Sequence, residues 1–93
     1  MTKKEYHKQI NARFYAYIEN NFPEYTIDSN EGYGRIYLIS EDIDNTIEYH
    51  QSRHDVHCWN FSSDKIKSDT KKMEDYINNN IIPLVNLNKD LAS

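Results

Sequence analysis

Apolar residues recur every three to four positions along the first part of the chain, and this spacing predicts an amphipathic helix over residues 3–20. The recurring positions are Tyr6, Ile10, Phe14, Tyr17 and Ile18. Thr2 and Glu5 have the spacing of a capping box, in which each side chain accepts a hydrogen bond from a free backbone N–H at the helix start. Pro23 disfavours helical backbone in the residue before it, so the helix is expected to end ahead of Phe22.

Four short segments in the middle of the chain predict β-strands. They span residues 25–29, 35–40, 46–51 and 56–62. The first two flank Gly32 and Gly34, the only glycines in the sequence, and glycine adopts positive φ at little cost. This segment therefore predicts a hairpin turn. The last two strands flank residues 52–55, which predict a second hairpin.

A second helix is predicted from Ser62, Ser63 and Asp64, which offer N-cap candidates and an acid for the first turn, to about residue 80. Its helical spacing is carried by Ile66, Thr70, Met73, Tyr76 and Ile77. Asparagines at positions 78–80, followed by Pro83, are expected to end or kink it. Residues 81–93 then form an apolar C-terminal extension, which could cover a core edge or, through residues 81–91, a second copy of the chain in a homodimer.

The resulting order, α-β-β-β-β-α, predicts a fold of the α+β class in a single domain that spans residues 1–93. Short connections between consecutive strands indicate a four-stranded antiparallel meander. The N- and C-terminal helices can cover one face of this sheet, giving two layers and leaving the second face open.

Strand alternation sorts the second hairpin, residues 49–59 (YHQSRHDVHCW), into two faces. A turn centred on Arg53 and His54 pairs residue 51 with 56, 50 with 57, 49 with 58, 48 with 59 and 47 with 60. The face expected in the core carries Ile47, Tyr49, Val56 and Cys58, with Ile36 and Leu38 from the preceding strand. The open face carries Glu48, His50, His57, Trp59 and Phe61, with Arg35, Tyr37 and Ile39.

Charge is unevenly distributed along the 93 residues, whose net charge is −4. Residues 1–18 contain four basic residues and one acid, whereas residues 19–48 contain eight acids and one arginine. The single cysteine excludes an internal disulfide and any zinc motif built on cysteine pairs. With no apolar run near 18 residues and no signal-peptide pattern, the chain is expected to be cytoplasmic.

The spacing of His50, His54, His57 and Cys58 raises the question of a metal site, for which zinc needs three or four converging ligands. Alternation brings His50 and His57 together, leaves His54 at the turn and points Cys58 to the opposite face. We therefore expect half-exposed histidines, no metal and no cofactor. A catalytic thiol is disfavoured too, because Cys58 faces away from the histidines, and no phosphate-binding loop or hydrolase motif is present. We expect no enzymatic activity.

These features favour a small acidic binding protein, an inhibitor or regulator that acts by protein–protein contact. The expected binding residues are Tyr37, Glu41, Asp42, Asp44, Glu48, His50, His57, Trp59 and Phe61. Exposed aromatic residues anchor interfaces, and the acids suit a partner with a basic or nucleic-acid-binding surface, as in a nucleic-acid mimic. Size and composition are typical of phage-encoded anti-defence proteins, such as anti-CRISPR proteins, and of toxin immunity proteins.

The alternative is a nucleic-acid-binding module that uses an aromatic open sheet face or the lysine-bearing helices. The lysines in question are Lys3, Lys4, Lys8, Lys65, Lys67, Lys71 and Lys72. Phosphate contacts require a basic surface, whereas the sheet region holds most of the acids, so direct nucleic-acid binding through the sheet is disfavoured.

Overall fold

A computed structural model describes residues 2–30, 34–40, 46–58 and 63–89 of the chain. The element order is α1 (Lys3–Asn21), β1 (Thr26–Asn30), β2 (Arg35–Ile39), β3 (Thr46–His50), β4 (Asp55–Cys58), α2 (Asp64–Tyr76), a π turn (Ile77–Ile81) and α3 (Ile82–Lys89). The strands form one antiparallel sheet in sequential order, β1-β2-β3-β4. The predicted α+β architecture is confirmed.

Side-chain caps fix the starts of both long helices. The Thr2 hydroxyl accepts a hydrogen bond from the Glu5 backbone N–H at 3.2 Å, and the Ser63 hydroxyl accepts one from the Ile66 N–H at 3.3 Å. Each cap satisfies a backbone donor that has no partner within the first turn of a helix. The predicted N-cap positions of α1 and α2 are therefore confirmed.

The register of the second hairpin differs from the prediction by two residues. Residue 47 pairs with 58, 48 with 57, 49 with 56 and 50 with 55, so the turn comprises residues 51–54. His54 adopts φ of 52°, a left-handed conformation that is uncommon for residues other than glycine but is enriched for asparagine, aspartate and histidine. Because a shift of two residues preserves the side-chain alternation, the predicted division of this hairpin into two faces still holds.

One hydrophobic core joins the helices to the inner face of the sheet. The rings of Phe14 and Tyr49 stack with their centroids 4.3 Å apart, and both residues are fully buried. The residues predicted to face the core from β2, β3 and β4 are all buried, Cys58 included. Both helices bury their apolar side chains in this same core, so within the described ranges neither covers the opposite face.

The sequence led us to expect that the asparagines at 78–80 and Pro83 end or kink the second helix. In the structure α2 ends at Tyr76, a π turn spans the asparagines, and helical backbone resumes in α3, so the chain is interrupted there but does not leave the helical conformation. In the π turn the hydrogen-bond spacing widens from four residues to five, and the Ile82 N–H donates to the Ile77 carbonyl. Pro83 lacks an N–H and crowds the carbonyl of the turn before it, which a widened turn can accommodate. Ile77 and Ile81 are fully buried in the core, and this burial keeps the segment helical despite its asparagines.

The apolar segment that follows covers an edge of the core, as one of the two sequence-based alternatives proposed. Ile82, Leu84 and Val85 are partly buried and pack against the central cluster. Leu87, by contrast, is 71 % exposed.

Candidate functional site

The outer face of the sheet carries two parallel rows of polar side chains. The register places Asp28, Tyr37, Glu48 and His57 side by side across the four strands. The next row consists of Asn30, Arg35, His50 and Asp55. The two rows together form what we call the outer face cluster. They place three carboxylates, one guanidinium and two imidazoles on one surface.

Glu48 lies at the centre of this cluster and is almost fully buried, with 4 % of its side chain exposed. Its Oε1 lies 3.2 Å from Nε of Arg35 and 3.3 Å from Nε2 of His50. A hydrogen bond with Tyr37, and secondarily the charge of Glu48, raises the pKa of Arg35. A buried carboxylate requires such partners, because desolvation of an unpaired charge is costly.

A second carboxylate organises the edge of the cluster at β4. One oxygen of Asp55 lies 3.3 Å from Nε2 of His57, and the other lies 3.5 Å from Nε of Arg53. The rings of His50 and His57 meet edge to face with centroids 5.0 Å apart. The two histidines therefore converge as predicted, but as diagonal neighbours, since the directly opposed pairs are Glu48 with His57 and His50 with Asp55.

The predicted binding residues divide into those that the structure brings together and those that lie elsewhere. Tyr37, Glu48, His50 and His57 meet in the outer face cluster. The other five predicted binding residues lie outside the residues that the structure describes: Glu41, Asp42, Asp44, Trp59 and Phe61. Glu48 differs from the expectation in one respect, because it is buried beneath its partners and is not a freely exposed acid.

His54 lies on the core side of the hairpin. Its Nδ1 lies 2.8 Å from the hydroxyl of the fully buried Tyr49. Burial, followed by the charge of His7, lowers the pKa of His54. The neutral ring can therefore accept a hydrogen bond from the tyrosine hydroxyl. Among the described residues, no group of three histidine, cysteine, aspartate or glutamate side chains is arranged to hold a metal ion.

A groove between α1 and the turn end of the sheet was not predicted from the sequence. Its α1 wall is formed by Lys4, His7, Lys8 and Asn11. Its other wall is formed by Gly34, Gln51 and Ser52, and the groove encloses about 680 Å³. The basic spacing on α1 was visible in the sequence, but the sheet residues reach it only through the tertiary fold.

The lysines of α2, in contrast, are partly neutralised. Lys65 lies 2.7 Å from carboxylate oxygens of both Glu24 and Asp69, and Lys71 lies 3.8 Å from Asp75. Paired in this way, these side chains contribute less to a basic surface than their number in the sequence suggests.

Comparison with known proteins gives no match to a protein-family model, to a curated protein or to a solved structure. None of the helices among the described residues is both long and apolar enough to cross a membrane.

Proposed function

We propose that this chain is a non-enzymatic binding protein, an inhibitor or regulator that recognises another protein through the outer face cluster. The observation that carries the proposal is the buried Glu48, which holds Arg35 and His50 in place on a sheet face that no described helix covers. Fixed side chains lose little conformational entropy when a partner binds, and preorganisation of this kind favours recognition.

The chemistry of the cluster suits a partner with a basic surface. Asp28 shares the face with Tyr37, a residue type enriched at interfaces, whereas Glu48 and Asp55 are already paired with Arg35 and Arg53. The β2–β3 connection adds Glu41, Asp42 and Asp44 in sequence. Opposite charges accelerate encounter and fix the orientation of a complex. A basic site of this kind often binds nucleic acid, so occupation of it would amount to nucleic-acid mimicry of the sort used by phage-encoded anti-defence proteins.

Quantitative affinity capture with three forms of the chain tests this proposal. The outer face variant is Tyr37→Ala/His57→Ala, and the matched control is Lys67→Ala/Glu74→Ala on the exposed surface of α2. We expect one protein to be retained by the wild type and the control, to be lost with the outer face variant, and to be released as salt rises. Equal retention by all three forms, or self-association through this face in light scattering, contradicts the proposal.

Nucleic-acid binding through α2 is the alternative, and it has less support because Lys65 and Lys71 already lie beside carboxylates. It predicts a mobility shift of labelled DNA or RNA at ~150 mM salt with a steep salt dependence. Lys65→Ala/Lys67→Ala/Lys71→Ala should then weaken binding for all sequences. A shift that these changes leave untouched eliminates this alternative.

A further inference from the structure

We propose that the groove between α1 and the turn end of the sheet binds a phosphate group. This site is separate from the outer face cluster, and it goes beyond the proposed protein-binding function. The proposal is based on three features: a buried side-chain N–H without a partner on a residue that lines the groove, the positive charge of the groove, and its size.

The donors come from both walls. Nε2 of Gln51 is buried and has no hydrogen-bond partner among the described residues, although the residue lines the groove. Asn11, on the opposite wall, is also a lining residue and is 7 % exposed. A ligand oxygen that accepts from Gln51 gives this buried N–H the partner that it lacks, and this favours binding.

The backbone around Gln51 is held in place before any ligand arrives. The Gln51 N–H donates to the Gly34 carbonyl at 2.9 Å, which ties the turn between β3 and β4 to the start of β2. Gly34 adopts φ of 68°, a conformation suited to glycine. The Gln51 side chain therefore projects from a fixed point.

The side chains that line the groove give it a positive charge. Lys4 and Lys8 are one helical turn apart on α1, with His7 beside them, and none of the seven lining residues carries a carboxylate. No carboxylate of a described residue lies within 4 Å of either lysine ammonium, unlike the lysines at positions 65 and 71.

The size of the groove indicates the class of ligand. About 680 Å³ lies within the ~300–1,000 Å³ range typical of small-molecule sites. Two lysines and neutral amide donors match a phosphate dianion, which accepts several hydrogen bonds at once. The phosphate could belong to a free phosphorylated small molecule or to a nucleic-acid terminus, and the experiment distinguishes these sources.

Titration of the labelled protein with inorganic phosphate, followed by NMR, tests the site directly. The side-chain NH₂ groups of Gln51 and Asn11 give their own signals. We expect saturable shifts of both with phosphate and none with sodium chloride at equal ionic strength. Parallel titrations with a nucleoside monophosphate and a 5′-phosphorylated oligonucleotide distinguish the two sources of the phosphate. The compound that binds at least ~10-fold more tightly than inorganic phosphate, a difference of about 1.4 kcal/mol, represents the class of the ligand.

Charge-matched variants separate this site from general surface attraction. Lys4→Gln/Lys8→Gln should weaken phosphate binding at least ~10-fold, whereas Lys67→Gln/Lys71→Gln, with the same net charge, should not. Gln51→Glu places a negative charge beside the phosphate and should abolish binding. Its thermal unfolding midpoint should stay near that of Gln51→Leu, which removes the same amide without adding a charge. Equal shifts with chloride, or equal weakening by both lysine pairs, overturns the proposal. Because Tyr37→Ala/His57→Ala lies outside the groove, it should leave phosphate binding unchanged, so failure of one proposal does not entail failure of the other.

Discussion

Two carboxylates among the described residues, Glu48 and Asp69, are almost fully buried, but their surroundings differ. Asp69 accepts a hydrogen bond from the Tyr25 hydroxyl at 2.8 Å and pairs with Lys65 at 2.7 Å, so it links the segment before β1 to α2. Glu48 contacts Arg35 and His50 on the outer face of the sheet, and Arg35 is 48 % exposed. One carboxylate joins parts of the fold, and the other organises a surface.

The difference indicates where each carboxylate should matter. Loss of Asp69 leaves the Tyr25 hydroxyl inside the protein without its acceptor, and Tyr25 is itself buried in the core. Loss of the Glu48 charge removes an ion-pair partner of Arg35, but water can hydrate the half-exposed Arg35 side chain without any movement. The first change should reduce stability, whereas the second should mainly alter the arrangement of the outer face. The histidines divide similarly, with His54 on the core side and His50 and His57 on the outer face.

The largest expected effect is that of Asp69→Ala. It should lower the free energy of unfolding by about 2–3 kcal/mol, because two hydrogen bonds are lost and a buried hydroxyl is left unsatisfied. Urea unfolding measures this change. Asp75→Ala on the same helix removes only the exposed pair with Lys71 and should cost less than about 1 kcal/mol. If both variants lose the same free energy of unfolding, Asp69 does not join parts of the fold in the way that its buried contacts indicate.

His54→Ala should follow, at about 2 kcal/mol. The change removes the partner of the buried Tyr49 hydroxyl, and it replaces histidine, which is enriched at positive φ, with alanine, which adopts φ of 52° less readily. His54→Asn keeps a residue that tolerates this φ, so it should cost less than His54→Ala. If urea unfolding gives the same loss for both, backbone strain at the turn plays no part.

A smaller effect is expected from pH. Burial lowers the pKa of His54, so the unfolded chain, with a histidine pKa near 6.5, takes up this proton more readily than the folded chain. The His54 contribution to stability is therefore complete above about pH 6.5 and is lost as the pH falls from there towards the lower pKa of the folded state. Chemical unfolding of the wild type and His54→Asn across pH 5–8 should show the two curves approaching each other at the acid end. Parallel curves would contradict this assignment.

Much of the fold could be predicted, because periodicity reports burial directly. The repeats in α1 and α2, the N-caps and the alternation through β2 to β4 all reflect contacts with one core. The hairpin register was missed by two residues because His54 takes the left-handed position, and histidine marks such a position far less clearly in a sequence than glycine does. Of the two outcomes expected at the three asparagines, an end or a kink, the helical region does not end there, because tertiary burial of Ile77 and Ile81 outweighs the local preference of the asparagines.

The candidate site was less predictable. Alternation correctly placed Tyr37, Glu48, His50 and His57 on one face, but the burial of Glu48 arises from the side chains of Arg35 and His50 converging across strands. The basic groove depends even more on tertiary structure. Gln51 and Lys8 are far apart in sequence and meet only because α1 packs beside the turn end of the sheet.

The smallest expected effect on stability comes from Glu48→Gln, which also tests whether Glu48 organises a recognition surface. This change keeps the shape of the side chain and removes the charge that positions Arg35 and His50. We expect the free energy of unfolding to fall by about 1 kcal/mol or less, while capture of the protein partner weakens at least ~10-fold relative to wild type. A stability loss as large as that of Asp69→Ala, or capture equal to wild type, would show that Glu48 serves the fold and not a recognition surface.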